Sequence, residues 1–165
     1  LKNMGRHNFI FIVAGNMALD SSQSKTLGLV KKENNLKHLV EIRGLKEYFK
    51  FLGSIKNPDT VLEKSDILIS LTRRVGPWGR SIIEAMSLGL PVLATGDNRG
   101  FVNSKNGIYL KKYNPKLVAE EIVKLSLNKN KYLKISKEAK KYIRTLCDSK
   151  MNSNKVLKFW KNVLN

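Results

Sequence analysis

The residues best suited to chemistry lie in one segment, residues 72–81, which follows a short apolar run and leads into a helix. Gly76 and Gly79 let the backbone approach a ligand closely, and the start of the following helix offers unpaired amides and a positive dipole end. Positive charge comes from three arginines of the same segment, Arg73, Arg74 and Arg80. A segment of this composition predicts the binding of a diphosphate.

Glu84 is a second candidate, because it interrupts an apolar stretch about one turn into that helix. A carboxylate there can accept hydrogen bonds from two vicinal hydroxyls, as acids do for ribose in dinucleotide-binding folds. Spacing alone leaves other interpretations open: Glu84 as a surface glutamate, the arginines as a solvated loop, and Trp78 as a cap on the core. The chain contains no GxxxxGK[ST], GxGxxG or GxSxG motif, so the common nucleotide and hydrolase signatures are absent.

The elements that must position these residues alternate along the chain. Five apolar runs predict β-strands, at residues 9–14, 48–52, 67–71, 91–95 and 108–110, and the first and third are typical of strands buried on both faces. Helical spacing and capping residues predict six helices, at residues 31–42, 57–64, 80–88, 115–127, 130–146 and 152–164. The connections are too long for hairpins. We therefore expect one α/β domain, an open parallel sheet with helices on both faces and a helical C-terminal tail. Ligands of such sheets bind outside the carboxyl ends of the strands.

The amino-acid composition excludes several further classes of protein. The chain has 165 residues, of which 42% are apolar, so it can bury a sizeable core. The single cysteine, Cys147, excludes a disulfide framework and a zinc site built on several cysteines. His7 and His38 lack acidic or cysteine companions, so we expect no metal site. No apolar run approaches the ~18 residues that cross a bilayer, and the N-terminal residues lack the form of a signal peptide, which indicates a soluble, intracellular protein.

The positive charge is concentrated towards the C-terminal end. The chain carries 31 Lys and Arg against 13 Asp and Glu, a net charge of +18, and residues 105–165 hold 16 of the basic residues against four acids. Twenty-four lysines and 16 asparagines are a bias that an AT-rich genome produces without any binding role. The alternative is attraction to anionic lipid or a polyanionic substrate.

The order and spacing of several motifs resemble the C-terminal domain of GT-B retaining glycosyltransferases, of the group 1 or family four type, over roughly residues 6–165. Glu84-Ala85-Met86 followed by Gly89-x-Pro91-Val92 is the most specific part, and Phe51-Leu52-Gly53, residues 65–70 and residues 106–110 fit the same pattern. The resemblance implies a Rossmann-like domain, one half of a GT-B fold. The loop at residues 97–100 is similar to a variant in members that build bacterial surface polysaccharide.

The resemblance also implies a donor site. Glu84 would hold the ribose hydroxyls of a nucleoside-diphosphate sugar, and the amides of Gly79 and Arg80 would face its phosphates or sugar. Gly53-Ser54 would border the base. Trp78 stands where the family usually has phenylalanine and keeps an aromatic wall.

Two departures from the family pattern lower the expected activity. Gly76 stands where the family has the first of two glutamates, the one that contacts the donor sugar. The family's Arg and Lys that neutralise the diphosphate come from a first strand and loop, whereas this chain starts at Leu1 and reaches its first predicted strand at Phe9. We therefore expect residues 1–165 to be a single donor-binding domain, a fragment without its first strand and the N-terminal acceptor domain. Because cleft closure positions reactants and excludes water, the chain alone should bind donor weakly and transfer nothing.

For the intact enzyme the resemblance implies retaining transfer of a glycosyl group to a polysaccharide or lipid-linked acceptor, without a metal or cofactor and with no residue identified as nucleophile or base. The expected location is the cytoplasm, with a peripheral position where the basic tail meets the anionic inner face of the membrane. Two alternatives remain. A nucleotide-sugar epimerase of GT-B architecture would release an altered sugar nucleotide without any acceptor, and a basic nucleic-acid-binding module is supported by charge alone.

Overall fold

The structure is a computed structural model that describes residues 1–6, 8–15, 35–71, 79–96 and 101–164. It divides into two units, Leu1–Pro58 and Asp59–Asn165, and each has a parallel sheet of its own. The sequence predicts one sheet. The described strands form two, since backbone hydrogen bonds pair two strands in the first unit and three in the second.

The first unit contains β1 (Phe11–Ala14), helix α1 (Leu36–Ile42) and β2 (Phe49–Gly53). The two strands are parallel, with Phe11 opposite Phe49. Aromatic rings of the two strands stack on one face of this sheet. The ring centroids of Phe11 and Phe49 are 5.0 Å apart. The prediction that the first strand is buried on both faces is wrong, because Ile12 on the other face is 40% exposed. An apolar run shows that a strand can be buried on both faces, but it does not show that other elements pack on both of them.

Helix α1 shows how local sequence sets its ends. The side chain of Asn35 accepts a hydrogen bond from the His38 amide at the start of the helix. At the other end Gly44 has a φ of 60°, and the Leu45 amide donates to the Val40 carbonyl at 3.0 Å. This is a Schellman ending, which confirms Gly44 as the predicted stop. The predicted start of the helix, at residue 31, lies outside the described residues.

The second unit contains the remaining elements. Its strands are β3 (Leu68–Ser70), β4 (Val92–Thr95) and β5 (Ile108–Leu110). They pair in parallel in the order β3-β4-β5. Its helices are α2 (Asp59–Leu62), α3 (Arg80–Leu88), α4 (Pro115–Leu127), α5 (Lys129–Leu146) and α6 (Ser149–Leu164). Each was predicted to within a few residues, and the bounds of α3 and α4 agree with the prediction.

Helices cover both faces of this second sheet, and β4 lies between them with all four residues buried. Val92 and Ala94 pack with apolar residues of α3 and with Ala139 and Ile143 of α5. Leu93 packs in a second cluster with Ile108, and with residues of α4 and the start of α5, namely Val118, Leu125 and Ile135. Since successive strand residues point to opposite faces, the two clusters lie on the two sides of the sheet. The predicted α/β fold class is confirmed.

Asparagine has a local structural role in this unit. Asn114 accepts hydrogen bonds from the Lys116 and Leu117 amides, and Pro115 fills the first helical position of α4. Asn128 accepts from the Lys131 amide at the start of α5. Part of the asparagine content therefore caps helices rather than reflecting composition alone.

Candidate functional site

Helix α3 is the first described element after β3 in the chain. Its N-cap is Gly79, in an extended conformation and without a hydrogen bond from a capping side chain. The Gly79 carbonyl accepts from the amides of Ile82 and Ile83, at 2.9 and 3.2 Å. The first amides of a helix have no partner within it, and Gly79 has no side chain to accept from them, so this helix start is suited to an anion.

The absence of a side chain at Gly79 leaves room for Ile82 of α3. A Cβ atom there would lie 3.2 Å from Cδ1 of Ile82, which is itself buried in the core. Glycine therefore lets the chain pass close to Ile82 as it enters the helix. The predicted approach of the Gly79 backbone to a ligand stays a prediction.

Glu84 lies one turn further along α3. Its side chain is 27% exposed, and its Oε1 atom is 3.3 Å from Nε of Arg80, whose side chain is 90% exposed. The glutamate is thus mostly covered by the protein, which differs from a fully solvated surface residue. The neighbouring Ala85 and Met86 are completely buried and hold this turn against the sheet.

The end of α3 explains the motif Gly89-x-Pro91-Val92. Gly89 has a φ of 81°, and the Leu90 amide donates to the Ala85 carbonyl at 2.8 Å. A Cβ atom on Gly89 would also lie 3.0 Å from Oγ of Ser136 on α5. The chain then enters β4 at the buried Val92. The motif therefore stops the helix and starts the strand, which fixes the position of Glu84.

Two sets of contacts beside β4 come from residues that the sequence did not single out for the site, one at the carboxyl end of β4 and one in the segment that leads into β5. The Tyr109 hydroxyl donates to the Gly96 carbonyl at 2.6 Å. Asn106 is buried, donates from Nδ2 to the Phe101 carbonyl at 2.9 Å, and accepts from the Asn103 amide at 2.8 Å. An Asn-Gly pair directly before a strand is the sequence signal that could have identified this support.

Gly107 completes the same support. A Cβ atom there would lie 2.5 Å from Cγ1 of Val102 and 2.9 Å from the Val92 carbonyl oxygen. Only glycine lets the chain pass so close to β4. The segment that ends at Gly107 is therefore packed against the start of β4, at the amino end of the sheet.

The predicted site residues separate into three groups. Gly79, Arg80 and Glu84 meet at the start of α3. Gly53 and Ser54 belong to the first unit, where Gly53 ends β2 with a φ of 67° and accepts from the Gly15 amide at 2.7 Å. The remaining predicted positions lie outside the described residues: Gly76, Trp78, Arg73, Arg74 and residues 97–100.

Two other features of the described ranges do not involve these residues. No group of three or more His, Cys, Asp and Glu side chains within them is placed to hold a metal ion. An open groove of about 540 Å³ lies where α5 meets α6 and is lined by Arg144, Thr145, Asp148, Lys150, Met151 and Asn154.

Residues 1–142 match the family model described as glycosyl transferases group 1. A comparison with curated protein sequences finds no match. The match covers both units except for the end of α5 and the whole of α6.

Solved structures of glycosyltransferases are similar in fold. HepE of Anabaena in complex with UDP has a TM-score of 0.73 and 21% identity, over 91% of this chain and 41% of that one. The same protein with UDP-glucose gives 0.67 and 21%, over 87% of this chain and 46% of that one. A glycosyltransferase of Rickettsia africae gives 0.74 and 20%, over 99% of this chain and 50% of that one.

A third protein is of similar size to this chain. The C-terminal domain of LpcC, a group 1 family glycosyl transferase of Francisella tularensis, has a TM-score of 0.59 and 18% identity, over 82% of this chain and 83% of that one. The chain spans only 41% of HepE and 50% of the Rickettsia protein. These likenesses show the fold, and they confirm the expectation of a Rossmann-like domain of the GT-B type.

Proposed function

The chain belongs to the group 1 glycosyl transferases, and from this membership we propose that it is the donor-binding part of such an enzyme. The donor is a nucleoside-diphosphate sugar. Its phosphates bind at the start of α3 and its ribose hydroxyls bind the Glu84 carboxylate. A UDP-sugar is the first donor to test, because HepE, which has the same fold, was solved with UDP and UDP-glucose.

One arrangement carries this proposal: the helix start at the glycine N-cap, Gly79, and the mostly covered Glu84 lie about one turn apart on the same helix. Amides and a positive dipole end favour a phosphate at the first position. A carboxylate about one turn away can accept from two adjacent hydroxyls. A nucleotide has phosphate and hydroxyls at this kind of separation, whereas a free phosphate would not use Glu84.

We further propose how the intact enzyme acts. Negative charge that develops on the leaving diphosphate is stabilised by the helix amides and by Arg80, which is a form of electrostatic preorganisation. Transfer proceeds with retention at the anomeric carbon, of the family four type, and needs no metal or cofactor. No residue of the chain is assigned as nucleophile or base.

The acceptor we propose is a polysaccharide or a lipid-linked glycan, used on the cytoplasmic face of a membrane. The resemblance of residues 97–100 to members that build surface polysaccharide supports this acceptor class, and the basic C-terminal region supports the location. No helix of the described residues is long and apolar enough to cross a bilayer. The partners of the chain are then the donor and the N-terminal acceptor-binding domain of the intact enzyme.

Titration with UDP, GDP and ADP in the millimolar range, followed by amide-resolved NMR, tests the donor site. We expect shifts at Gly79, Arg80 and Glu84, with one base preferred. Glu84→Gln should weaken binding about tenfold or more, because hydrogen bonds to a charged carboxylate are lost. Glu63→Gln, the same change at an exposed glutamate of the second unit, is the matched control.

The comparison between variants decides the outcome. Equal affinity of Glu84→Gln and the parent chain would contradict the ribose role of Glu84. Shifts spread over the lysine-rich helices, with no preference among bases, would indicate charge-driven binding of polyanions instead. Shifts that include Gly53 and Ser54 would assign the base position to the first unit, as the resemblance implies.

A further inference from the structure

The Tyr109 hydroxyl links two strands at the carboxyl end of the second sheet. Tyr109 is the middle residue of β5, and its partner on β4 is Ala94. The hydroxyl reaches past this partner and donates a hydrogen bond to the Gly96 carbonyl at 2.6 Å. A phenylalanine would pack in the same space, so what the hydroxyl adds is this hydrogen bond.

Gly96 is the residue at which the chain turns away from β4. Its φ is 85°, in the left-handed region that favours glycine. It follows Thr95, the last residue of β4 that pairs with β5. The Tyr109 hydroxyl therefore fixes the chain one residue beyond the paired strands.

The ring of Tyr109 lies on the side of the sheet that carries α3. It packs against the core cluster that contains Ala94 of β4 and Ala85 of α3. Ile108, its neighbour in β5, belongs to the cluster on the opposite side. The hydroxyl therefore reaches the end of β4 from the side of α3.

The start of α3 lies at the same edge of the sheet. The helix ends at Leu88, and a connection of three residues leads into β4 at Val92. Because the connection is short and α3 packs on β4, the helix runs opposite to the strand. The nine residues of α3 and the four of β4 each span about 13 Å. Gly79, at the start of α3, therefore lies at the edge where β4 gives way to Gly96.

We propose that Tyr109 is a positioning residue of the donor site, whose hydroxyl holds the Gly96 turn beside the start of α3. This inference rests on the proposed function, which places the donor phosphates at that helix start. Donor then binds to chains in which the Gly96 turn is in place. Its apparent affinity falls in proportion to the fraction of such chains.

The test is a titration of the full 165-residue chain and of Tyr109→Phe with UDP, followed by amide-resolved NMR. Phenylalanine keeps the ring and its packing and removes the hydroxyl. We expect UDP affinity to fall about three- to tenfold, which is the population shift that one hydrogen bond of ordinary net strength can produce. Urea unfolding of the variant shows that it is folded under the conditions of the titration. A loss of affinity is then not a loss of folded chain.

Tyr132→Phe is the matched control, because it removes the same group elsewhere in the second unit. Tyr132 packs in the cluster on the other side of the sheet. Burial and the negative charge of Asp66 raise the pKa of its phenol, and Asp66 precedes β3 at the amino ends of the strands. This variant should change UDP affinity less than about twofold. Equal affinity of Tyr109→Phe and the parent chain, or equal losses in the two variants, would overturn the proposal.

Spectra recorded without nucleotide separate this proposal from the proposed function. Tyr109→Phe should shift the amide signals of Gly96, Gly79 and Arg80 in the ligand-free chain, whereas Tyr132→Phe should not. Shifts confined to β4 and β5 would overturn the positioning role, whether or not UDP binds. A parent chain that binds no nucleotide would contradict the proposed function, and shifts at Gly79 and Arg80 would then still support the hold of Tyr109 on this edge of the sheet.

Discussion

Arg80 and Glu84 form an ion pair across one turn at the start of α3, with Nε and Oε1 3.3 Å apart. The pair is unequal, since the arginine is almost fully exposed and the glutamate is mostly covered. An exposed arginine is hydrated and mobile, so it holds the carboxylate only weakly. The proposed donor site requires Glu84 to exchange this partner for ribose hydroxyls, and a weak ion pair makes that exchange cost little.

Arg80→Gln should lower the free energy of unfolding by less than about 0.5 kcal/mol, because i,i+4 surface pairs contribute little. Urea unfolding followed by circular dichroism measures the change. Arg144→Gln on α5 is a control with the same loss of charge. A loss above about 1 kcal/mol at Arg80 alone would mean that the pair is structural and that Glu84 is committed to it.

Gly107→Ala should destabilise the chain by about 1–3 kcal/mol, because the added methyl overlaps Val102 and the Val92 carbonyl. Gly79→Ala is the comparison, since its methyl would meet only the Ile82 side chain, at 3.2 Å from Cδ1 and 3.3 Å from Cγ1, and no backbone atom. The two unfolding midpoints in urea should differ clearly. Similar midpoints would show that residues 101–107 can move away from β4 at little cost.

Asn106→Ala should cost about 1–3 kcal/mol of stability, because the Phe101 carbonyl and the Asn103 amide lose their buried partner. Asn103→Ala removes only an exposed hydrogen bond to the Lys105 amide and should cost less. Thermal unfolding of both variants measures the difference. Equal losses would argue against Asn106 as the residue that holds this loop.

Glu121 on α4 predicts a pH effect on stability. Hydrogen bonds from Lys124, and the positive charge of Lys131 on α5, lower the pKa of Glu121 below its ordinary value. A lowered carboxyl pKa stabilises the fold above the unfolded pKa, and this contribution is lost as pH falls through the folded value. The pH window is therefore below about 4.5.

Removing the carboxylate tests that assignment. Glu121→Gln should lower the free energy of unfolding at pH 7 by about 0.5–1 kcal/mol and leave it less changed at pH 3. Glu63→Gln, an exposed glutamate, should show neither effect. An equal loss for Glu121→Gln at both pH values would mean that its lysine pairs do not depend on charge.

Much of the second unit can be predicted from sequence because its signals are local. Pro115 after Asn114 marks the start of α4, and Gly89 marks the end of α3. Glu84 could be selected as a candidate site residue because a charged residue that interrupts an apolar stretch indicates a functional role. Its ion pair with Arg80 follows from i,i+4 spacing, although the unequal exposure of the two side chains does not.

Other features depend on contacts between distant residues and could not be predicted. The Tyr109 hydroxyl reaches the Gly96 carbonyl across thirteen positions. The exposure of Ile12 depends on what packs against β1, which an apolar run does not reveal. The exposure of the apolar face of α6 to solvent, within the part of the chain that the structure describes, is of the same kind, because helical periodicity predicts an apolar face but not what packs on it.

The burial of Asn106 and Gly107 also affects how readily the chain deamidates. Asn-Gly sequences deamidate readily when the glycine amide nitrogen can attack the asparagine side chain, through a cyclic imide. In the folded chain the Asn106 side chain is held by the Phe101 carbonyl and the Asn103 amide, so it is not free to rotate into that reaction. Each excursion to the unfolded state removes this protection. Deamidation would leave a carboxylate where the Phe101 carbonyl needs a donor, so a chain that deamidates while unfolded would refold less readily. The rate of deamidation would therefore depend on the free energy of unfolding.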